Sequence, residues 1–185
     1  MVRILIVYGS THGHTAKVAA ALANALRRQS ATVDVFNAAI TACRPDEYHA
    51  VIVAASVHGG AYQTTVQHWV RSHASVLNGK TTAFVSVCLG VLQRDPNVQR
   101  EVEANVRRFT EAVAWKPTVV KQVAGALLYT RYNWFLGWTM KRIVAKAGGD
   151  TDTTRDYEYT DWQDLRAFAD LFGKRVAAAS EAVGA

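Results

Sequence analysis

Residues 3–15 read RILIVYGSTHGHT and divide into two parts of opposite character. The first six residues form an apolar run that ends at Gly9, which is typical of a short strand buried on both faces of a parallel sheet. Glycine, hydroxyl side chains and histidine follow, and from His14 apolar residues recur every three or four positions. The stretch therefore predicts a strand, a polar turn and an amphipathic helix in direct succession.

The same alternation continues along the chain. Apolar or β-branched runs predict four more strands, at residues 32–36, 50–55, 82–88 and 119–125. Amphipathic patterns predict helices at residues 14–28 and 65–77, a third that opens at Pro96, and a last one that starts near Thr160 and Gln163, which have capping-box spacing. Strands that alternate with helices form a parallel sheet covered on both faces. We therefore predict an α/β fold in one domain, residues 1–185.

Composition narrows the class of protein. Of 185 residues, 50% are hydrophobic and 19% charged, as in ordinary globular proteins, and no apolar run is long enough to predict a membrane span. The apolar N-terminus predicts a strand and not a signal peptide, and the distant Cys43 and Cys88 are expected to be reduced thiols, so we expect a cytoplasmic protein. The net charge of +6 favours anionic partners without choosing among phosphorylated ligands, nucleic acid and membranes.

The turn after the first strand is the candidate binding loop. Parallel sheets bind ligands at the carboxyl ends of their strands, and a helix N-terminus there offers free N–H groups and a positive dipole end. The hydroxyls of Ser10, Thr11 and Thr15 and the small Gly13 suit a phosphate; a helix capped by Ser10 or Thr11 with nothing bound is the alternative. Neither the P-loop pattern nor the dinucleotide pattern of glycines occurs, so these two nucleotide sites are not expected.

Residues 10–15, STHGHT, resemble the phosphate loop of flavodoxins, Ser/Thr-x-Thr-Gly-x-Thr, with His12 in place of the usual Thr. The resemblance implies a flavodoxin-like three-layer sandwich, a five-stranded parallel sheet in the order 2-1-3-4-5, and FMN as cofactor. It places the FMN-binding residues in the loops after the first, third and fourth strands: Ser10, Thr11, His12, Gly13, His14, Thr15, Ser56, Val57, His58, Gly59, Gly60, Tyr62, Val87, Cys88, Leu89 and Gly90. Tyr62 is the candidate to flank the flavin ring.

A narrower resemblance covers nearly the whole chain. It is carried by ASVHGGAY (55–62), SVCL (86–89), AGALLYTRYNW (124–134), GGDTDT (148–153) and YTDW (159–162). In this order they are similar to the flavodoxin-type, quinone-dependent protoporphyrinogen IX dehydrogenases of bacterial haem synthesis. This implies FMN-dependent oxidation of protoporphyrinogen IX to protoporphyrin IX, with electrons passed to a membrane quinone, menaquinone or ubiquinone. A flavodoxin-type electron carrier and an NAD(P)H:quinone reductase remain alternatives.

Residues 129–158, between the fifth strand and the last helix, exceed what such a connection needs. They interleave aromatic and basic side chains: Tyr129, Arg131, Tyr132, Trp134, Trp138, Lys141, Arg142 and Lys146. Such a mixture suits the interface of an anionic membrane, and it also suits a tetrapyrrole or a quinone. A helix that simply packs on the sheet is the alternative. We expect peripheral contact with the inner face of the cell membrane and no nucleic-acid partner, because no nucleic-acid motif occurs.

The histidines His12, His14 and His58 all fall at the predicted binding edge. No carboxylate or cysteine with ligand spacing accompanies them, so we expect polar contacts to phosphate or flavin and no metal. Cys88 ends a buried strand and is expected to be a core thiol. No catalytic acid or base can be chosen from the sequence.

Overall fold

The computed structural model describes residues 1–40, 43–131, 150 and 152–184. The main sheet has five parallel strands: β1 Arg3–Tyr8, β2 Thr32–Asn37, β3 Ala50–Ser56, β4 Thr81–Val87 and β5 Val119–Val123. Their order is β2-β1-β3-β4-β5, as predicted, and the predicted bounds agree to within two residues. The strand order changes direction between β1 and β3, which creates the switch point where such sheets bind ligands.

In the part of the chain that the structure describes, four helices cover the sheet: α1 His14–Arg27, α2 Thr64–Asn78, α3 Pro96–Ala112 and α4 Trp162–Gly184. Successive side chains of a strand point to opposite faces, so Ile4 and Ile6 pack with α1 and α4, while Leu5 and Val7 pack with α2 and α3. All four side chains are fully buried, because both faces of β1 are covered. This explains why the predicted strand was a continuous apolar run.

The predicted capping box at the start of α4 is wrong. The Asp161 carboxylate caps the helix instead, accepting hydrogen bonds of 2.9 Å from the N–H groups of Gln163 and Asp164. Thr160 is buried, and its hydroxyl donates to the carbonyl oxygen of Ala124 at 2.7 Å. Asp161 is suited to cap the helix because a carboxylate is stabilised at the positive end of the helix dipole. Thr160 is not free to cap the helix because its hydroxyl satisfies the buried Ala124 carbonyl.

After β5 the chain leaves the main sheet and forms a small hairpin. Strand β6, Ala126–Leu127, pairs antiparallel with β7, Tyr157–Glu158, and a short 3-10 turn at Tyr129–Arg131 follows β6. The hairpin therefore closes the base of the additional segment 129–158. The predicted interface residues Tyr132, Trp134, Trp138, Lys141, Arg142 and Lys146 lie outside the described residues. Within the described ranges, none of the helices combines the length and the apolar character that crossing a membrane requires.

Candidate functional site

A cleft of about 320 Å³ opens at the carboxyl ends of β1, β3 and β4. The side chains and backbone that line it come from the loops after these strands and from the turn between β5 and β6: Ser10, His12, His14, Thr15, Ser56, Val57, His58, Gly59, Val87, Cys88, Leu89, Gly90, Gly125, Ala126 and Leu128. Twelve of the sixteen predicted cofactor-binding residues are among them, so the structure brings the three predicted loops together around one space.

Gly125, Ala126 and Leu128 line the cleft but were not predicted. The sequence pattern extended the fifth strand to residue 125, whereas the strand ends at Val123 and the following turn bends over the cleft. The glycine at 125 was the one available signal, because a glycine inside a strand pattern often marks a close approach of the backbone. A Cβ on Gly125 would contact Val87 and Leu89, both of which line the cleft.

A wider depression of about 580 Å³ lies between the loop after β2 and α2, next to Ile40, Cys43 and Trp69. It is open to solvent, and none of the described residues that line it belongs to the loops after β1, β3 or β4. The smaller cleft is therefore the candidate functional site, because parallel sheets bind ligands where the strand order reverses.

One end of the cleft is the N-terminus of α1. Gly13 is the N-cap and has φ of 92°, a left-handed conformation that glycine adopts without strain. Its N–H donates to the Ser10 hydroxyl at 2.9 Å, which closes the loop over the helix end. The first turn of α1 carries no acidic residue, so the positive end of the helix dipole is not neutralised within the turn. This end of the cleft is suited to an anion.

The other end is framed by two glycine turns. Gly59 and Gly60 have φ of 57° and 81°, and the turn is closed by a hydrogen bond of 2.8 Å from the His58 N–H to the Ala61 carbonyl. A Cβ on Gly59 would meet no atom within 4 Å, so a side chain at this cleft-lining position would enter open space. On the opposite wall a Cβ on Gly90 would lie 2.7 Å from Val102, which only glycine avoids.

Burial shifts the pKa values of His14, His58 and Cys88, all of which line the cleft, toward their neutral forms. Burial lowers the pKa of His58, and the nearby His12 ring, 5.8 Å away between ring centroids, lowers it further. The Ser56 hydroxyl contacts His58 Nε2 at 3.0 Å and accepts from Gln63 Nε2 at 2.7 Å, so the imidazole is held by a polar chain. Burial raises the pKa of the Cys88 thiol, which makes it a neutral group and a poor nucleophile.

His14 is the most deeply buried of these histidines. It is 7% exposed, and its Nε2 contacts the Thr160 hydroxyl at 2.8 Å. Burial lowers its pKa and Lys17 acts in the same direction, whereas Glu158 opposes both. His14 thus joins the first turn of α1 to β7 and to the residues that begin α4.

Tyr62 does not lie where the sequence analysis expected it. Its ring is 5% exposed and packs against Phe84 and Phe109, with centroid distances of 5.1 and 4.9 Å. Its hydroxyl contacts the buried Ser86 hydroxyl at 2.7 Å, and burial raises the pKa of Tyr62 to about 12. After the turn at Gly59 and Gly60, the Tyr62 side chain enters the core between β4 and α3. Tyr62 therefore belongs to the core, and the prediction that it flanks the flavin is wrong.

Three other predicted residues do not line the cleft, and one predicted surface residue is buried. Thr11 instead accepts a hydrogen bond from Gln63 Nε2 at 3.3 Å, and Gly13 and Gly60 shape their turns through the backbone. Tyr129, expected at a membrane interface, is 5% exposed, and its hydroxyl donates to the Asp150 carbonyl oxygen at 3.0 Å. A pattern of residue types does not distinguish these inward-facing positions from exposed ones.

The flavodoxin domain family matches residues 5–154. Over 168 residues, 90% of this chain and 92% of the other, the sequence is 33% identical to "Protoporphyrinogen IX dehydrogenase [quinone]" of Escherichia coli (strain K12). A protein of the same name from Leishmania major is 32% identical over 176 residues, 92% of this chain and 74% of the other.

A solved short-chain flavodoxin associated with a non-canonical PDU bacterial microcompartment has the same fold. It superposes with a TM-score of 0.61 at 16% identity and covers 95% of this chain and 99% of the other. The chain therefore belongs to the flavodoxin domain family, and among its members to the FMN-dependent oxidoreductases represented by the curated protoporphyrinogen IX dehydrogenases [quinone].

Proposed function

We propose that the cleft holds FMN with the phosphate at the N-terminus of α1 and the ring between the turns at Gly59 and Gly90. The volume of the cleft falls within the roughly 300–1,000 Å³ of small-molecule sites. Its donor set fits the two ends of the cofactor. The helix end with no acid in its first turn suits a phosphate, and the glycine turns with Val57 and Leu89 suit an apolar ring.

When bound, FMN supplies two-electron redox chemistry that no side chain of this protein offers. The residues of the chain position it and control its surroundings. Val57 and Leu89 keep water from the ring, and the chain of contacts from Gln63 through Ser56 holds the His58 imidazole at the cleft. Because Cys88 stays protonated, the cleft presents no thiolate beside the cofactor.

The reaction that we propose is the oxidation of protoporphyrinogen IX to protoporphyrin IX in successive two-electron steps, with electrons passed to a membrane quinone. The observation that carries this proposal is the 33% identity to the Escherichia coli protein of that activity, extended over 90% of this chain. The match covers far more than the phosphate loop, which flavodoxins of other function share.

A steady-state assay tests this reaction. Purified protein loaded with FMN is mixed with protoporphyrinogen IX under anaerobic conditions, with and without a menaquinone or ubiquinone analogue, and porphyrin fluorescence is followed. We expect porphyrin to form only when protein, FMN and quinone are all present. FMN binding with NAD(P)H-dependent quinone reduction and no porphyrin would identify an NAD(P)H:quinone reductase and contradict the proposal.

We further propose that Lys141, Arg142 and Lys146 bring the protein to an anionic membrane surface, where the quinone resides. Each cation near such a surface contributes about 1 kcal/mol, so removing all three weakens binding by about two orders of magnitude. The triple change to glutamate is therefore expected to abolish co-sedimentation with anionic vesicles and to leave FMN affinity unchanged. Vesicles of neutral lipid are the control. Equal co-sedimentation of the unchanged protein and the triple variant with anionic vesicles would contradict the proposed membrane contact of these three residues.

Tyr62→Phe tests the corrected place of Tyr62. The change leaves the buried Ser86 hydroxyl without its partner, so we expect the free energy of unfolding to fall by about 1–2 kcal/mol. FMN affinity and the spectrum of bound flavin should stay as in the unchanged protein, because the ring lies in the core. Denaturant unfolding and a flavin titration measure the two effects. A clear loss of FMN affinity with an unchanged free energy of unfolding would contradict the core position of Tyr62 and would indicate that it contacts the flavin.

A further inference from the structure

The hydrogen bonds around His14 fix which of its ring nitrogens carries the proton. The Thr160 hydroxyl donates its only hydrogen to the carbonyl oxygen of Ala124 at 2.7 Å, because a carbonyl can only accept. At its contact of 2.8 Å with His14 Nε2, Thr160 must therefore accept, and Nε2 carries the hydrogen. In the neutral ring the other nitrogen, Nδ1, then bears a lone pair.

Among the described residues that lone pair has no hydrogen-bond partner. His14 Nδ1 is buried, and Glu158 Oε2 lies 3.5 Å from it. A buried acceptor thus faces the partly exposed carboxylate of Glu158, an arrangement that a single proton on Nδ1 would turn into an ion pair. In the free protein His14 stays neutral because burying a cation costs more free energy than the hydrogen bond from Nδ1 to Glu158 would return.

The charged groups that act on His14, among the described residues, are Glu158 from β7 and Lys17 from α1. The carboxylate of Glu158 accepts from Lys17 Nζ and from Trp162 Nε1, each at 3.0 Å. Burial raises the pKa of Glu158, but the bonds from Lys17 and Trp162 outweigh it, so the pKa is lowered and the group is ionised. The start of α4 adds only the uncharged Thr160 and the Trp162 ring, 6.1 Å from His14.

We propose that His14 responds to the phosphate of the bound cofactor: the dianion draws a proton from solvent onto Nδ1, which then bonds to Glu158 and ties α1 to the β6–β7 hairpin. This inference rests on FMN binding at the N-terminus of α1, as proposed above. His14 lines the cleft in the first turn of that helix, so a phosphate there adds negative charge close to the ring. Cofactor loading thereby tightens the base of the additional segment.

The same coupling makes FMN affinity depend on pH with a definite sign. Free protein holds His14 neutral at pH 7 and the complex holds it protonated, so binding takes up a proton and weakens as pH rises. With a full proton taken up, affinity falls about tenfold per pH unit from pH 7 up to the pKa that His14 has in the complex. A phosphate monoester has its second pKa near 6, so above pH 7 the cofactor itself no longer contributes.

Titration calorimetry of FMN into apo-protein at pH 7.5, in two buffers of different ionisation enthalpy, measures the proton uptake directly. We expect uptake in the unchanged protein, none in His14→Gln, and a reduced value in Glu158→Gln, which keeps the imidazole but removes the carboxylate. His68→Gln, an exposed histidine of α2, is the matched control and should behave as the unchanged protein. Riboflavin, which lacks the phosphate, should bind without uptake.

The outcomes separate this inference from the proposed function. Uptake that persists in His14→Gln and disappears in His58→Gln would assign the proton to the other histidines of the cleft and overturn the role of His14. FMN binding without proton uptake in the unchanged protein would also overturn it. No FMN binding at all would instead contradict the proposed function. If His14→Gln does not fold, an unaltered uptake in Glu158→Gln would still contradict the inference.

Discussion

Replacing Ser10 by aspartate is expected to weaken FMN binding by about three orders of magnitude while leaving the protein folded. The Ser10 side chain lies at the N-terminus of α1 and already accepts the N–H of Gly13. An aspartate there can take the same bond, and a carboxylate stabilises a helix N-terminus. It also places a negative charge where the phosphate is proposed to bind. Two like charges in contact at a partly solvated site repel by about 4 kcal/mol, which corresponds to about three orders of magnitude in affinity.

Ser10→Asn is the matched control, because asparagine has the same shape and no charge. It should bind FMN within about tenfold of the unchanged protein, since only one hydrogen bond is at stake. Flavin fluorescence titrations with FMN and with riboflavin measure both variants. The Ser10→Asp and Ser10→Asn variants should bind riboflavin with similar affinity, because riboflavin has no phosphate for the carboxylate to repel. Equal FMN affinity of the two variants would show that the phosphate does not bind at this helix end.

Phe84→Ala should have the largest effect on stability, lowering the free energy of unfolding by about 3–5 kcal/mol. Phe84 lies on β4, an inner strand between β3 and β5, and is fully buried. Its ring stacks on Phe109 at 4.8 Å and meets Trp115 at 5.7 Å, so truncation leaves a cavity that rigid aromatic neighbours cannot fill.

Phe168→Ala on α4 is the control for this change. Phe168 is only partly buried, so the same truncation should cost roughly 1 kcal/mol. Denaturant unfolding of both variants measures the difference. Similar losses for the two would show that the aromatic cluster around Phe84 is not the close-packed core that the structure describes.

The fold could be predicted because strands that are buried on both faces appear in the sequence as short, continuous apolar runs. β1, β3 and β4 are covered on both faces, and their apolar runs cannot be mistaken for amphipathic helices. The end of β5 was harder to find, since the residues that follow Val123 remain apolar when the chain turns into β6. A run of apolar residues indicates that a segment is buried. It does not indicate where one buried strand ends and the next begins.

The site could be predicted as a set of loops but not as a set of side chains. Topology brings the carboxyl ends of β1, β3 and β4 together, which is why most predicted residues line one cleft. Whether a side chain faces the cleft or the core depends on the backbone of one turn, as Tyr62 shows. The contact of His14 with Thr160 joins residues 146 positions apart, and no pattern in either segment indicates it.

The two ends of the cleft differ in their chemistry. At the α1 end, the helix N-terminus with no acidic residue in its first turn suits an anion, and His14 lines the cleft beside it. At the other end, Gly59 borders open space that a side chain would enter, and Gly90 packs so close to Val102 of α3 that a Cβ would not fit. This division follows the chemistry of a cofactor with a charged phosphate and an apolar, redox-active ring.

Anaerobic mixing of FMN-loaded protein with protoporphyrinogen IX, in the absence of quinone, tests the central claim most directly. The visible absorbance of the flavin reports whether electrons leave the porphyrinogen for the bound cofactor. We predict that the flavin absorbance bleaches before any quinone is added, because the bound FMN accepts the first electron pair from protoporphyrinogen IX. Adding a quinone should restore the flavin absorbance and allow the remaining oxidation steps, so that porphyrin fluorescence then appears. Flavin that stays oxidised beside protoporphyrinogen IX, while binding at the cleft is intact, would contradict the proposed reaction.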